Sequence, residues 1–408
     1  MNYNDTLTYI HSLGQFSLPV GLERIKSVLG ALGNPQNDFK SIHIAGTNGK
    51  GSVSAMLGSV FKTAGLKTGL FISPYIIEFR ERIQINGEYI SETDLCAYAE
   101  KIKKTNIALT EFEFITALAF LYFKEQNIDI LICETGLGGR FDATNTLDNL
   151  LCAVITKIGL DHTAILGDTF EKIAFEKCGI LRNCPTVVSA NQEKSALDVI
   201  EKLAGDLTIP DTNDVEIIKS GIGGSRFLYK AKEYEISLYG DYQIENAITV
   251  IESLNVCGYE IPYDIIYKGL KETFFPARME VVSESPLIVL DGAHNPDGAR
   301  VLAKELSKFS GEVTAIIGMM KDKDYETFLE NTLKFCKNAV AVTVPQLPRS
   351  LSAENLSKSA NKFCECFAAE DLQSALGKAI EISNGKPIFI FGSLYLASAI
   401  RPFLKEKF

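Results

Sequence analysis

The stretch Gly46-Thr47-Asn48-Gly49-Lys50-Gly51-Ser52 limits what this chain can fold into more than any other. Before it, Phe39 to Ala45 alternates as a strand; after it, Val53, Met56, Leu57, Val60 and Phe61 form the apolar stripe of a helix that ends near Gly65. A strand that turns through glycines into a helix gathers backbone N–H groups and the positive helix end in one place, which suits a phosphate. Lys50 can reach the outer phosphates and Ser52 can coordinate magnesium. The spacing is not that of the strict motif G-x-x-x-x-G-K-[ST]. Ile44 stands where the first glycine belongs, and Gly51 is inserted between Lys50 and Ser52. The loop is a variant, and an ordinary glycine turn is its plain alternative.

The same alternation continues. Leu22, Ile25, Val28, Leu29 and Leu32 give an amphipathic helix stopped by Gly33-Asn34-Pro35. A strand is expected at 67–72, a helix at 111–126, and strands at 128–133 and 151–155. Repeated β-α units of this kind predict an α/β fold with a mostly parallel sheet and helices on both faces. Short alternating runs between about 215 and 240, such as Tyr234 to Leu238, predict a small side sheet. After helices at 242–257 and 263–273, strand and helix patterns restart at Leu287 and run to the terminal helix. The length of 408 residues suits two domains. We expect a nucleotide-binding domain over 1–280 and a smaller Rossmann-like α/β domain over 281–408.

Three further segments follow strands, where ligands of open α/β sheets bind. Glu134 opens Glu134-Thr135-Gly136-Leu137-Gly138-Gly139-Arg140 and is a candidate magnesium ligand, although a helix cap or solvated acid reads equally well. The dinucleotide pattern G-x-G-x-x-G fails there because Phe141 holds its third position. Ser73 and His162 come after two other strands, so Ser73, Glu134 and His162 suit a magnesium site with few protein ligands and several waters. In the second domain, Asp291 and His294 lie in Leu290-Asp291-Gly292-Ala293-His294-Asn295-Pro296-Asp297, which reads alternatively as a β-α turn capped by Asp297.

The net charge of −10 opposes binding to a phosphate backbone, so nucleic acid is not an expected partner. No apolar run is long enough for a membrane span, and the first residues lack a basic and an apolar signal region, so a cytoplasmic address is expected. The nine cysteines are scattered without C-x-x-C pairs and read as reduced, mostly buried small hydrophobes.

Together these segments resemble the folylpolyglutamate synthase and dihydrofolate synthase family of the Mur ligase superfamily. The resemblance runs from about Leu22 to Tyr395. Its landmarks are GTNGKGS (46–52), SPYI (73–76), ETGLGGRFDATN (134–145), LDHTAILG (160–167), EKCGI (176–180), YQIENA (242–247), PARME (276–280), LDGAHNPDGA (290–299) and GSLYL (392–396). It implies a ligase that uses ATP to convert a folate or pteroate carboxylate into an acyl phosphate, which the amino group of L-glutamate then attacks.

The resemblance also assigns roles. Gly46 to Ser52 hold the nucleotide, Ser52, Ser73, Glu134 and His162 hold magnesium, and Asn246, Arg278 and Asp291 contact the nucleotide. Lys50, Lys177, Asp291 and His294 are the expected catalytic set, with Lys177 matching a lysine often carbamylated in the superfamily. A monomer is expected. Two positions depart from the family pattern: Cys178 stands where alanine is common, and Ala277 where glycine is common.

Two rival readings remain. Muramyl-peptide ligases carry a further domain ahead of the loop, and here only 45 residues precede Gly46. A nucleotide switch protein needs Ser or Thr directly after the lysine and a guanine-reading N-K-x-D; Gly51 and Asn361-Lys362-Phe363-Cys364 supply neither. Dihydropteroate and reduced folate both remain open as acceptors, because pocket shape rather than motif chooses between them.

Overall fold

The structure, a computed structural model, describes residues 2–14 and 18–408. The first sheet has eight strands: β1 (Lys40–Ala45), β2 (Thr68–Phe71), β3 (Ile83–Ile85), β4 (Glu88–Tyr89), β5 (Ile130–Glu134), β6 (Leu150–Ile155), β7 (Thr186–Val188) and β8 (Leu207–Thr208). Their order is β4-β3-β2-β5-β1-β6-β7-β8. From β2 to β8 every pairing is parallel, and β3 and β4 add an antiparallel edge.

β1 is central and β5 is buried along its whole length, as their near-continuous apolar sequences require of parallel strands covered on both faces. Chain order reverses around β1: the chain leaves it for β2 on one side and reaches β6 on the other. The crevice at the carboxyl ends of β5, β1 and β6 is therefore a switch point, the ligand position of doubly wound sheets.

Much of the core comes from the helix Glu111–Glu125, which begins with a capping box between Thr110 and Glu113. Phe114, Phe120 and Phe123 from this helix are buried with Phe39 and Phe71. Each such ring contributes roughly 1.5–3 kcal/mol relative to exposure. A second cluster, with Ala153, Ile155, Ile173 and Ile200, includes apolar residues of β6 and of the helices Phe170–Lys177 and Lys194–Leu203.

Strands β9 (Val215–Gly221), β10 (Gly224–Tyr229) and β11 (Lys232–Ile236) form the expected small sheet, ordered β11-β10-β9. The third sheet contains β12 (Glu280–Glu284), β13 (Leu287–Leu290), β14 (Val313–Ile317), β15 (Cys336–Val342), β16 (Glu365–Ala369) and β17 (Ile388–Phe391). It is ordered β12-β13-β17-β14-β15-β16, with β12 antiparallel to β13 and the rest parallel.

The chain divides into two compact units. One comprises 1–218, 226–236 and 243–273; the other comprises 219–225, 237–242 and 274–408.

Several elements carry weak sequence signals. β7 and β8 are too short to alternate, and the helices Glu92–Lys103 and Leu372–Ser383 are marked chiefly by their caps, Ser91 and Asp371. Six cysteines, at 133, 152, 178, 257, 336 and 366, are buried, the other three are half-buried, and all nine are free thiols. Among the described residues no helix is long and apolar enough to cross a membrane.

Candidate active site

The loop after β1 enters its helix earlier than the apolar stripe suggests. The helix runs Lys50–Thr63, so Lys50, Gly51 and Ser52 form its first turn. Val53 N–H bonds to Gly49 O as the helical ladder begins, and the N–H groups just before it are the ones a helix start leaves for a ligand. Thr47 and Asn48 are different: both direct their N–H to Lys157 O, at 2.9 and 3.1 Å. Thr47 Oγ1 also exchanges hydrogen bonds with Gly159. The anion-facing part of the loop is thus its helical end, while its first half is tied to the segment after β6.

Two glycines are required by space as well as by backbone angle. Gly46 has φ 153°, and a Cβ there would overlap Thr156 Oγ1. Gly49 has φ 92°, and its Cβ would come within 2.6 Å of Asn246 Oδ1.

Glu134, the last residue of β5, is buried beside this loop. Its Oε1 lies 3.7 Å from Lys50 Nζ, and its Oε2 accepts a long 3.4 Å bond from Ser73 N. The structure thus brings together Lys50, Ser73 and Glu134, which the sequence places on three separate β-α turns. His162 is exposed, has φ 52°, and stands before the short helix Thr163–Leu166, with its N–H on Asp161 Oδ1. Among the described residues no group of three or more His, Cys, Asp or Glu side chains is arranged around a common metal position.

Lys177 closes the loop from the other side. It is buried at the end of the helix Phe170–Lys177, and its Nζ donates to Gly46 O at 2.7 Å. Burial, with the nearby charge of Lys50, brings its pKa down to about 7, against the opposing pull of Asp161, Asp142 and Glu134. It is therefore not a solvated surface lysine.

Residues without an expected role hold this arrangement. Asn145 Nδ2 donates to Arg140 O and Gly179 O, its Oδ1 accepts from Arg182, and Arg140 N bonds to Glu176 O. The segment after β5 is therefore fastened to the end of the Lys177 helix. Behind it, His43 Nε2 pairs with Thr144 Oγ1 at 2.8 Å, and Thr144 Oγ1 in turn donates to Asp142. Burial lowers the His43 pKa to about 3 and raises that of Asp142.

Asn246 belongs to the helix Tyr242–Val256, where its Nδ2 donates to Gln243 Oε1 at 2.8 Å. Gln243 Nε2 donates to Ser52 Oγ at 3.2 Å. Gln243 stands within the YQIENA motif, and its i, i+3 spacing from Asn246 is the signal that could have singled it out.

The second unit carries Arg278, Asp291 and His294 in one neighbourhood. Asp291 is buried, with Oδ2 accepting from Met279 N at 2.9 Å and Oδ1 from Ala293 N at 2.8 Å. Burial raises its pKa, while the Arg278 charge, these two N–H groups and His294 oppose the rise. His294 Nδ1 lies 2.9 Å from Gly292 O. Ala277 takes φ 51° in place of the glycine common in the family pattern, and its N–H bonds to Glu280 at 3.0 Å. Arg278 is thereby presented from a turn held on both sides by carboxylates.

Comparison with known proteins finds relatives along the whole chain. The family model for the Mur ligase middle domain matches residues 44–254, and that for the Mur ligase glutamate ligase domain matches 277–394. The chain is 37% identical to a dihydrofolate synthase/folylpolyglutamate synthase of Bacillus subtilis, over 99% of each chain. It is 36% identical to a folylpolyglutamate synthase of Lacticaseibacillus casei, over 98% of each. FolC of Escherichia coli, solved in complex with DHPP and ADP, matches with a TM-score of 0.90 at 28% identity, covering 100% of this chain and 98% of its own. With both Mur ligase domains in order and full-length relatives above 30% identity, the chain belongs to the folylpolyglutamate synthase and dihydrofolate synthase family of the Mur ligases.

Proposed function

We propose that this chain is an ATP-dependent amide ligase that joins L-glutamate to the carboxylate of a reduced folate, of dihydropteroate, or of both. The observation that carries this reading is the meeting of Lys50, Ser73 and Glu134 beside a helix start at the switch point of the first sheet. A carboxylate oxygen of the acceptor attacks the γ-phosphorus of ATP, and the bond to the ADP oxygen breaks. The glutamate amine then attacks the acyl carbon of the acyl phosphate, phosphate leaves, and the nitrogen loses a proton.

Lys50 offsets charge on the transferring phosphoryl group, where positioning and electrostatics carry most of the catalysis. The N–H groups at the start of its helix orient the phosphates. The family resemblance assigns nucleotide contact to Asn246, to Arg278 and to Asp291, and a part in the ligation chemistry to Asp291 and His294.

Magnesium fits the donors present. Ser52 and Ser73 offer hydroxyl oxygens and Glu134 a buried carboxylate, all hard ligands, and His162 would add a nitrogen. When bound, the ion supplies further neutralisation of phosphate charge. Lys177, with a pKa near 7, has a neutral amine fraction able to combine with carbon dioxide, forming an N–C bond and losing a proton to become an anionic carbamate. We place the enzyme in the cytoplasm as a monomer acting on small molecules, the state the family resemblance implies.

The test is mass analysis of products from purified protein given ATP, magnesium and L-glutamate with each acceptor in turn. Addition of at least one glutamate per acceptor is expected, with one ADP formed for each glutamate joined. Asp291→Ala and His294→Ala should each lower the rate by roughly a hundredfold. No product with either acceptor, or GTP hydrolysis independent of acceptor, would sink the assignment.

A further inference from the structure

The helix Tyr242–Val256 touches the nucleotide loop at two points, and one residue joins them. Gln243 is fully buried, yet both ends of its amide are engaged: Nε2 on Ser52 Oγ at 3.2 Å and Oε1 under Asn246 Nδ2 at 2.8 Å. Asn246 in turn sets its Oδ1 against Gly49, where no side chain would fit. One helical turn, reading i and i+3, thus braces the stretch Gly49 to Ser52 at both ends.

We propose that Gln243 is a positioning residue for the metal-and-phosphate face of Ser52, with Asn246 setting its polarity. With Asn246 Nδ2 on Gln243 Oε1, the amide turns its N–H toward Ser52. A serine hydroxyl has one proton and two lone pairs. The Gln243 N–H takes one lone pair and offers Ser52 no acceptor. The remaining lone pair is left for a hard cation, and the proton for a phosphate oxygen. Without Gln243, a hydroxyl that must present both would be free to rotate. In a site this buried, a donor and acceptor of fixed sense specify one orientation, and an unmatched amide would carry a desolvation cost.

The inference rests on the reading that Ser52 meets magnesium, so the experiment separates the two. Binding of a fluorescent ATP analogue is titrated at equilibrium against magnesium, and again in EDTA, for the wild type, Ser52→Ala, Gln243→Met, Gln243→Glu and the double variant Ser52→Ala/Gln243→Met. The wild type and Ser52→Ala test the underlying reading alone: if magnesium does not strengthen binding, or Ser52→Ala leaves that dependence unmoved, both reading and inference fail.

If Gln243 positions Ser52, Gln243→Met, of similar volume without the amide, raises the magnesium concentration for half-maximal tightening by about tenfold, the loss of one buried hydrogen bond to a reacting group. Binding in EDTA and the KM for glutamate stay within about twofold. Gln243→Glu, which replaces the donor by an acceptor, does the same or worse. On the Ser52→Ala background, Gln243→Met adds nothing further. The proposal is overturned if either Gln243 variant keeps wild-type magnesium dependence, if the two effects add in full, or if only the melting midpoint moves.

Discussion

Two turns at the ends of the sheets impose the same backbone demand and meet it in opposite ways. The loop after β1 puts glycine at its positive-φ positions, Gly46 and Gly49, and lets Thr156 and Asn246 occupy the space a side chain would need. The turn before β12 puts Ala277 and Met279 at φ 51°, and holds each by its N–H: Ala277 on Glu280, Met279 on Asp291. A non-glycine residue in the left-handed region costs roughly 1–2 kcal/mol, which a hydrogen bond to a carboxylate, worth about 1.5–3 kcal/mol, offsets. Glycine thus appears where a neighbour must approach closely. A carboxylate serves where the backbone only has to be held.

The largest test of this contrast is Gly46→Val. Its side chain has no room beside Thr156, so the loop must shift, and a displacement near 1 Å in a positioned site lowers kcat/KM for ATP by roughly a hundredfold. Steady-state kinetics check this, and a loss under tenfold would show that the first half of the loop tolerates movement.

Acid distinguishes the first turn further. His43 lies on β1 three residues before Gly46, is fully buried, and stays neutral until about pH 3, whereas an unfolded chain protonates it near 6.5. Below pH 6.5 the unfolded state binds more protons, so stability is lost as pH falls from 6.5 toward 3, by up to about 1.4 kcal/mol per pH unit from this residue. His43→Gln removes that slope, and urea titrations between pH 7 and 4.5 should show a flatter decline for the variant. An unchanged slope would mean that other groups govern acid sensitivity.

The smallest expected effect is at the second turn. Ala277→Gly relieves the left-handed strain but loosens the unfolded chain, terms of about 1 kcal/mol each with opposite sign. The net change in the urea unfolding free energy should lie within about 0.5 kcal/mol. A loss above about 1 kcal/mol would show that packing of the buried Ala277 methyl outweighs its backbone angle.

The strand, glycine loop and helix at 40–63 are readable in the sequence because each is a local pattern: alternation, turn residues, then a period of 3.6. The restart of strand and helix from Leu287 is readable for the same reason. The candidate site was readable only as separate parts. Ser73 and Glu134 could be named as residues after strands, but each alone was equally a turn residue or a solvated acid. Lys177 gave no local sign of being other than a surface lysine. Gln243 carries no local signal of its role beyond its spacing from Asn246, since its burial and its partner depend on a distant part of the chain.

What the sequence by itself determined is therefore the order of the strongly patterned elements, the variant phosphate loop and the family. These rest on spacing between neighbours along the chain, and spacing survives without coordinates. Only the tertiary structure decided the strand order β2-β5-β1-β6, the approach of Glu134 to Lys50, the bond of Lys177 to Gly46 across 131 positions, and that of Gln243 to Ser52 across 191. Such contacts leave no period in the sequence. They arise when burial of the sheet faces brings loop ends together, and the polar groups trapped there must find partners or lose their hydration uncompensated.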